Sequence, residues 1–262
     1  MSLEPSEALR LLPASPLPGF PDVLVGTQED GADVLLGENA LQVAAVVNCA
    51  LDDWLYKVRN GYCGSAAACR LPEIEASIRA LPQSESIALG DISGIRYCAL
   101  PARDRDRAEP IIIDGEVAVP GMEPYDMGQH LPAAVAFLQE QVAAGRRVLI
   151  HCLRGENRAG AVAAAFLVAE AALPGDAVHK VQEARGNFAL SNRAFVEQVH
   201  SFATERSRSR SEQRRRADVS ETNGVVVGLA SKPCNAGESG TAPIDSKHSF
   251  QVKLPQSTEQ ET

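Results

Sequence analysis

Short runs rich in valine and isoleucine recur along the chain, at Val23-Leu24-Val25, Val43 to Val47, Ile95 to Leu100 and Val148 to Ile150. They lack the apolar-polar alternation of a half-exposed strand, and read as strands buried on both faces. Elsewhere the spacing becomes helical. Leu131, Val135, Leu138 and Val142 share one face, Ala159 to Leu173 is apolar almost throughout, and Ala177 to Ala184 and Asn192 to Phe202 are further helical stretches. Gly145 closes the first of these helices ahead of the strand in RRVLI. Strands alternating with helices predict an α/β domain with a central, mostly parallel sheet flanked by helices.

Two stretches interrupt this pattern. Residues 52–92, which hold the single tryptophan Trp54, and residues 107–127, with Pro110, Pro120, Gly121 and Pro124, read as long excursions, either binding loops or plain insertions. The pattern also fades at both ends. Residues 1–18, broken by Pro13, Pro16 and Pro18, are expected to be flexible, and residues 19–206 to form the folded domain. Residues 207–262, rich in Ser, Gly, Pro, Gln and Thr with one aromatic, Phe250, are expected to be a disordered tail. The run RSRSRSEQRRR from Arg206 to Arg216 reads first as a solvated helix end or tail, and second as a nuclear-import or nucleic-acid patch.

Composition narrows the function classes. A chain of 262 residues with 45% hydrophobic content can bury a full core, and its net charge of −9 opposes general attraction to nucleic acid or to anionic membrane. Ala159 to Leu173 is too short for a membrane span and is broken by Glu170. Glu4 and Glu7 stand where a secretory signal carries positive charge. The six cysteines are scattered, so a reduced chain without a disulfide framework is expected. Cys63 and Cys69 have no second Cys or His pair at zinc spacing, so no metal and no other cofactor is expected. The expected location is the cytoplasm, with the arginine run as the one pointer to the nucleus.

The chemistry concentrates in HCLRGENRAG, residues 151 to 160. A buried strand ending at His151 leads into a loop, Cys152 to Asn157 with Gly155 inside it, and Arg158 opens an apolar helix. Successive loop N–H groups can converge on one point to which a helix amino terminus adds partial positive charge, a cradle for a phosphate. The same field favours a thiolate, so Cys152 is the candidate nucleophile. Arg158 can hold two phosphate oxygens with its planar fork. Leu153, Arg154, Gly155, Glu156, Asn157 and Arg158 are the candidate phosphate-binding residues.

The stretch resembles the HCxxGxxR signature of the cysteine-dependent tyrosine phosphatases, with His151, Cys152, Gly155 and Arg158 at its fixed positions. FPDVLVGTQEDGADVLLGENALQVAAVVNCA resembles the opening of the dual-specificity phosphatase domain and VQEARGNFALSNRAFVEQVHSF its closing helices, Asn192, Phe195 and Gln198 included. The resemblance implies the cysteine-phosphatase fold and a phosphorylated protein as substrate. It further implies hydrolysis of phosphotyrosine, phosphoserine or phosphothreonine through a phosphocysteine intermediate. The reaction requires an acid for the leaving oxygen. YCALPARD resembles the family's acid loop, which makes Asp104 the implied general acid, with Asp106 and then Asp126 as alternatives. His151 and Asn192 are implied as supporting residues, His151 by hydrogen bonding to the loop.

Two residues depart from the family's loop. Ala159 stands where a Ser or Thr is usual, leaving no hydroxyl to assist the departing thiolate, and Glu156 places a carboxylate at the loop. These departures keep a phosphate-binding module without turnover as an alternative. The fragments GENRAG and FLVAE resemble RNA 5′-triphosphatases, a second alternative that the net acidity opposes. A phosphoinositide phosphatase is the third, opposed because Arg154 is the loop's one extra cation.

Overall fold

The computed structural model describes residues 12–59, 70–82, 87–105, 111–113, 116–119 and 123–224. Its six-stranded sheet is built from β1 (Ser15–Leu17), β2 (Phe20–Gly26), β3 (Ala45–Asn48), β4 (Ala88–Ile92), β5 (Ile95–Ala99) and β8 (Val148–His151), in the order β1-β2-β8-β3-β5-β4. The four central strands run parallel and each edge strand is antiparallel to its neighbour. A mostly parallel sheet flanked by helices is what the apolar runs predict.

Strand side chains alternate between two cores, which is why the runs are apolar apart from Arg96. Val23, Val25, Ala45, Val47, Cys98, Val148 and Ile150 pack on one face, with α4 (Leu131–Ala143), α5 (Arg158–Ala169), α6 (Pro174–Arg185) and the start of α7 (Arg193–Gly224). Leu24, Val46, Tyr97, Ala99 and Leu149 face the other way, toward α1 (Gln28–Leu36), α2 (Leu51–Arg59) and α3 (Leu71–Arg79). Every residue of α5 is buried, so its apolar sequence marks a core helix. Among the described residues no helix is long and apolar enough to cross a membrane.

The sequence-based boundaries shift in four places. Residues 12–17 fall in the segment expected to be flexible, yet β1 pairs with β2 and Leu17 is buried. Much of the 52–92 excursion is regular structure, because Trp54, Leu55, Leu71, Ile74 and Ile78 complete the second core. Within 107–127 the described residues include a hairpin of β6 (Ile111–Ile113) and β7 (Glu116–Val119).

At the carboxyl side, α7 passes the expected domain end and runs to Gly224. The chain divides into two compact units, Met1–Arg215 and Arg216–Thr262. Composition misleads here because arginine, glutamate and glutamine extend a helix that Phe195, Val199 and Phe202 have already anchored, without needing an apolar face of their own. Ser207, Ser209 and Ser211 each donate to the carbonyl four residues earlier. Cys63, Cys69 and Asp106 lie outside the described residues.

Candidate active site

The parallel central strands end on one edge of the sheet, and β8 delivers Cys152 there. The loop behind it is held from outside by its carbonyls. The Gln28 N–H, at the start of α1, donates to the Leu153 carbonyl at 3.2 Å, and the Arg185 guanidinium takes those of Arg154 and Gly155. A trans peptide points its C=O and the following N–H in opposite directions, so carbonyls held outward turn the N–H groups of Arg154, Gly155 and Glu156 inward. The Gly155 N–H donates to the Cys152 sulfur at 3.2 Å. Gly155 adopts a φ of +70°, and a Cβ there would lie 2.5 Å from the Gly26 carbonyl oxygen. Only glycine fits.

Arg158 starts α5 and is only 3% exposed, although charged. One Nη donates to the Asp53 carboxylate at 2.6 Å and to the Ala102 carbonyl at 3.1 Å, while the buried Nε has no partner. Burial pulls its pKa down, but Cys152, Asp53 and Asp104 outweigh that and leave it above its ordinary value. A buried donor without an acceptor is costly unless a ligand supplies one.

Asp104 is where the sequence places the acid. Its two carboxylate oxygens accept from the side-chain amides of Asn192 at 3.1 Å and Asn157 at 3.2 Å. The Asn157 oxygen in turn accepts from the Asn192 N–H and the Ser191 hydroxyl. Asn157 does not cap α5 with its side chain; it ties the Asp104 loop to the cysteine loop. Asp126 lies in a segment joined by hydrogen bonds to the loop that carries Asp104. Its neighbour Tyr125 donates its N–H to the Arg105 carbonyl and its hydroxyl to that of Pro101, so this segment buttresses the acid loop. Gln198 fixes it from behind through the backbone of Tyr125, Met127 and Gly128.

These residues enclose a pocket of about 500 Å³ lined by Asp53, Arg103, Asp104, Arg105, Cys152, Arg158 and the loop between the last two, Gly155 excepted. Asp126 is not on its wall. Glu156, the unusual carboxylate, pairs with Arg154 at 3.2 Å. Asp53 and Arg185 went unnoticed in the sequence, since each meets the loop from a distant segment.

His151 differs from expectation in how it supports the loop. Neither ring nitrogen makes a well-formed hydrogen bond; the ring lies edge-on to Trp54 and against Gly31, where a Cβ would approach to 2.6 Å. It is a wedge between the loop and the second core. Burial, with only partial relief from the Cys152 backbone and a further downward push from Arg158, lowers its pKa from 6.5 to about 4. The unfolded chain therefore binds one more proton than the folded one between these values, and stability falls as the pH drops through them. Going from pH 7 to pH 5 is expected to cost wild type about 2 kcal/mol more than a His151→Gln variant, measured by urea unfolding. Equal losses would show that His151 is not the group that titrates.

Residues 93–205 match a family profile described as the dual specificity phosphatase catalytic domain, a range that contains Asp104, the cysteine loop and Asn192. Among solved structures, the chain is similar to human DUSP28, at 18% identity over 75% of this chain and 97% of that one, with a TM-score of 0.46. It is also similar to a mouse putative dual specificity phosphatase complexed with zinc tungstate, at 20% identity over 78% and 94%, with a TM-score of 0.45. A third is PTPMT1, at 15% identity over 76% and 99%, with a TM-score of 0.44. No curated protein matches the chain.

Proposed function

We propose that this chain, whose catalytic domain belongs to the dual-specificity phosphatase family and has its α/β fold, hydrolyses phosphorylated protein side chains through a phosphocysteine intermediate. The observation that carries the reading is the convergence of Cys152, Arg158 and a doubly anchored Asp104 on one pocket. Cys152 as thiolate attacks phosphorus in line, and the inward loop amides and the Arg158 fork stabilise the three equatorial oxygens. Asp104 gives its proton to the departing oxygen of tyrosine, serine or threonine. The same carboxylate then takes a proton from water as that water attacks phosphorus, breaks the S–P bond and restores the thiolate. Ala159 offers this second step no hydroxyl, so phosphocysteine breakdown is the slower half.

The test is hydrolysis by the full chain of phosphotyrosine, phosphothreonine and phosphoserine peptides, with a 5′-triphosphorylated RNA and a phosphoinositide alongside. Release of phosphate from any of the peptides, well above that from the RNA and the lipid, is expected. RNA or lipid turnover alone would replace the substrate class, and tungstate binding without turnover of any substrate would make the chain a phosphate-binding module.

A further inference from the structure

Arg185 closes α6, is 4% exposed, and takes no part in the chemistry above. Its guanidinium makes five hydrogen bonds. Nε donates to the Gly155 carbonyl at 3.2 Å, and one Nη to those of Arg154 at 3.1 Å and Leu12 at 3.0 Å. The other Nη donates to the Pro13 carbonyl at 2.6 Å and to the Ser15 hydroxyl at 3.3 Å. An arginine has five N–H donors, and the planar fork has found an acceptor for each. No carboxylate is among them. A purely structural charge would more commonly be buried against an acid; this one is buried against peptide oxygens, two of them consecutive in the catalytic loop.

Those two carbonyls matter because of what lies at the other end of their peptide groups. The Arg154 carbonyl shares a plane with the Gly155 N–H, which points at the Cys152 sulfur, and the Gly155 carbonyl shares one with the Glu156 N–H. Fixing the outer ends fixes the inner ones. A Cβ on Gly155 would also sit 2.7 Å from an Arg185 Nη, so the loop closes directly on the guanidinium.

We propose that Arg185 is a positioning residue for the catalytic loop, aiming two of its N–H groups at the transferring phosphoryl group while it fastens the Leu12–Ser15 segment to the loop's outer side. The consequence for turnover rests on the phosphatase reading; the consequence for oxyanion binding does not. Misaimed loop donors weaken the transition state more than the ground state. Arg185→Met is therefore expected to lower kcat by about 10²-fold or more with KM little changed, and to weaken tungstate binding measured by calorimetry. Arg185→Gln serves in its place should the methionine variant not fold. Arg185→Lys keeps the charge without the fork and is expected to stay impaired in both measurements.

Val181→Ala, in the core of the same helix, is the control for simple destabilisation and is expected to lower Tm while leaving kcat and tungstate affinity near wild type. Full recovery in Arg185→Lys would show that charge alone suffices and overturn the proposal. So would a kcat loss in Val181→Ala equal to that in Arg185→Met. Wild type that binds tungstate without hydrolysing any phosphate ester would sink the phosphatase reading, leaving the Arg185 role to be decided by tungstate affinity in the variants; wild type that does neither would overturn both.

Discussion

Cys152→Ser is expected to abolish phosphate-ester hydrolysis while leaving tungstate affinity within a few-fold of wild type. The two outcomes separate because the sulfur has two kinds of neighbour. As nucleophile it has no replacement among the pocket residues; Asp53, Asp104 and Glu156 are carboxylates already bound to Arg158, to two asparagine amides and to Arg154. A serine hydroxyl in the same place is a far weaker attacking group without a base beside it, and His151 cannot serve as one because its ring is buried among Trp54 and Gly31. Oxyanion binding, in contrast, depends on loop N–H groups turned inward by Gln28 and Arg185 and on Arg158, all of which remain when the sulfur is replaced. Acid-quenched wild type should carry phosphate on Cys152 during turnover, since Ala159 leaves the second step unassisted. Turnover retained in the serine variant would mean another nucleophile and sink the mechanism.

Much of this arrangement is readable along the chain, and what is not has a physical reason. Strands β2, β3, β5 and β8 stand out because burial on both faces makes their central residues apolar without alternation, Arg96 apart. The Cys152 loop stands out because nucleophile, glycine and arginine must sit at fixed spacing within a few residues to cradle one phosphate. Asp104 is implied by resemblance alone; the paired amides of Asn157 and Asn192 that hold it come from other segments and leave no local trace.

Helix α1 escapes notice because its sequence, QEDGADVLL, mixes polar and small residues. Its capping box at Thr27 and Asp30 is a local signal three residues long, but the space left by Gly31 for the His151 ring is a long-range matter. Asp53 reaches Arg158 across 105 residues of sequence, and Arg185 reaches Pro13 across 172. Such pairings carry no local signal. The run after Arg206 shows the converse error, in which composition suggests disorder although a helix anchored upstream continues through it.

Asp104→Asn should cost about 10²–10⁴-fold in kcat/KM on substrates with poor leaving groups and far less on those with good ones, while kcat falls for both because the same carboxylate is the base in the slower second step. Asparagine keeps the size of the side chain but has one accepting oxygen where two amides donate, so it is the dependence on leaving group, and not the size of the loss, that isolates the proton. Expulsion of a serine or threonine alkoxide, or of phenoxide, needs that proton in the transition state, whereas an activated aryl oxide leaves without it. A plot of log kcat/KM against leaving-group acidity should therefore be shallow for wild type and steep for the variant, since formation of phosphocysteine, the step this ratio reports, is where the leaving group departs. Asn192→Ala removes one of the two amides that fix the carboxylate and is expected to shift the plot in the same direction by a smaller amount, with Asn157 still holding on. A plot for Asp104→Asn that stays parallel to wild type would show that Asp104 is not the acid. The role would then pass to Asp106 or Asp126, the alternatives that the sequence offers.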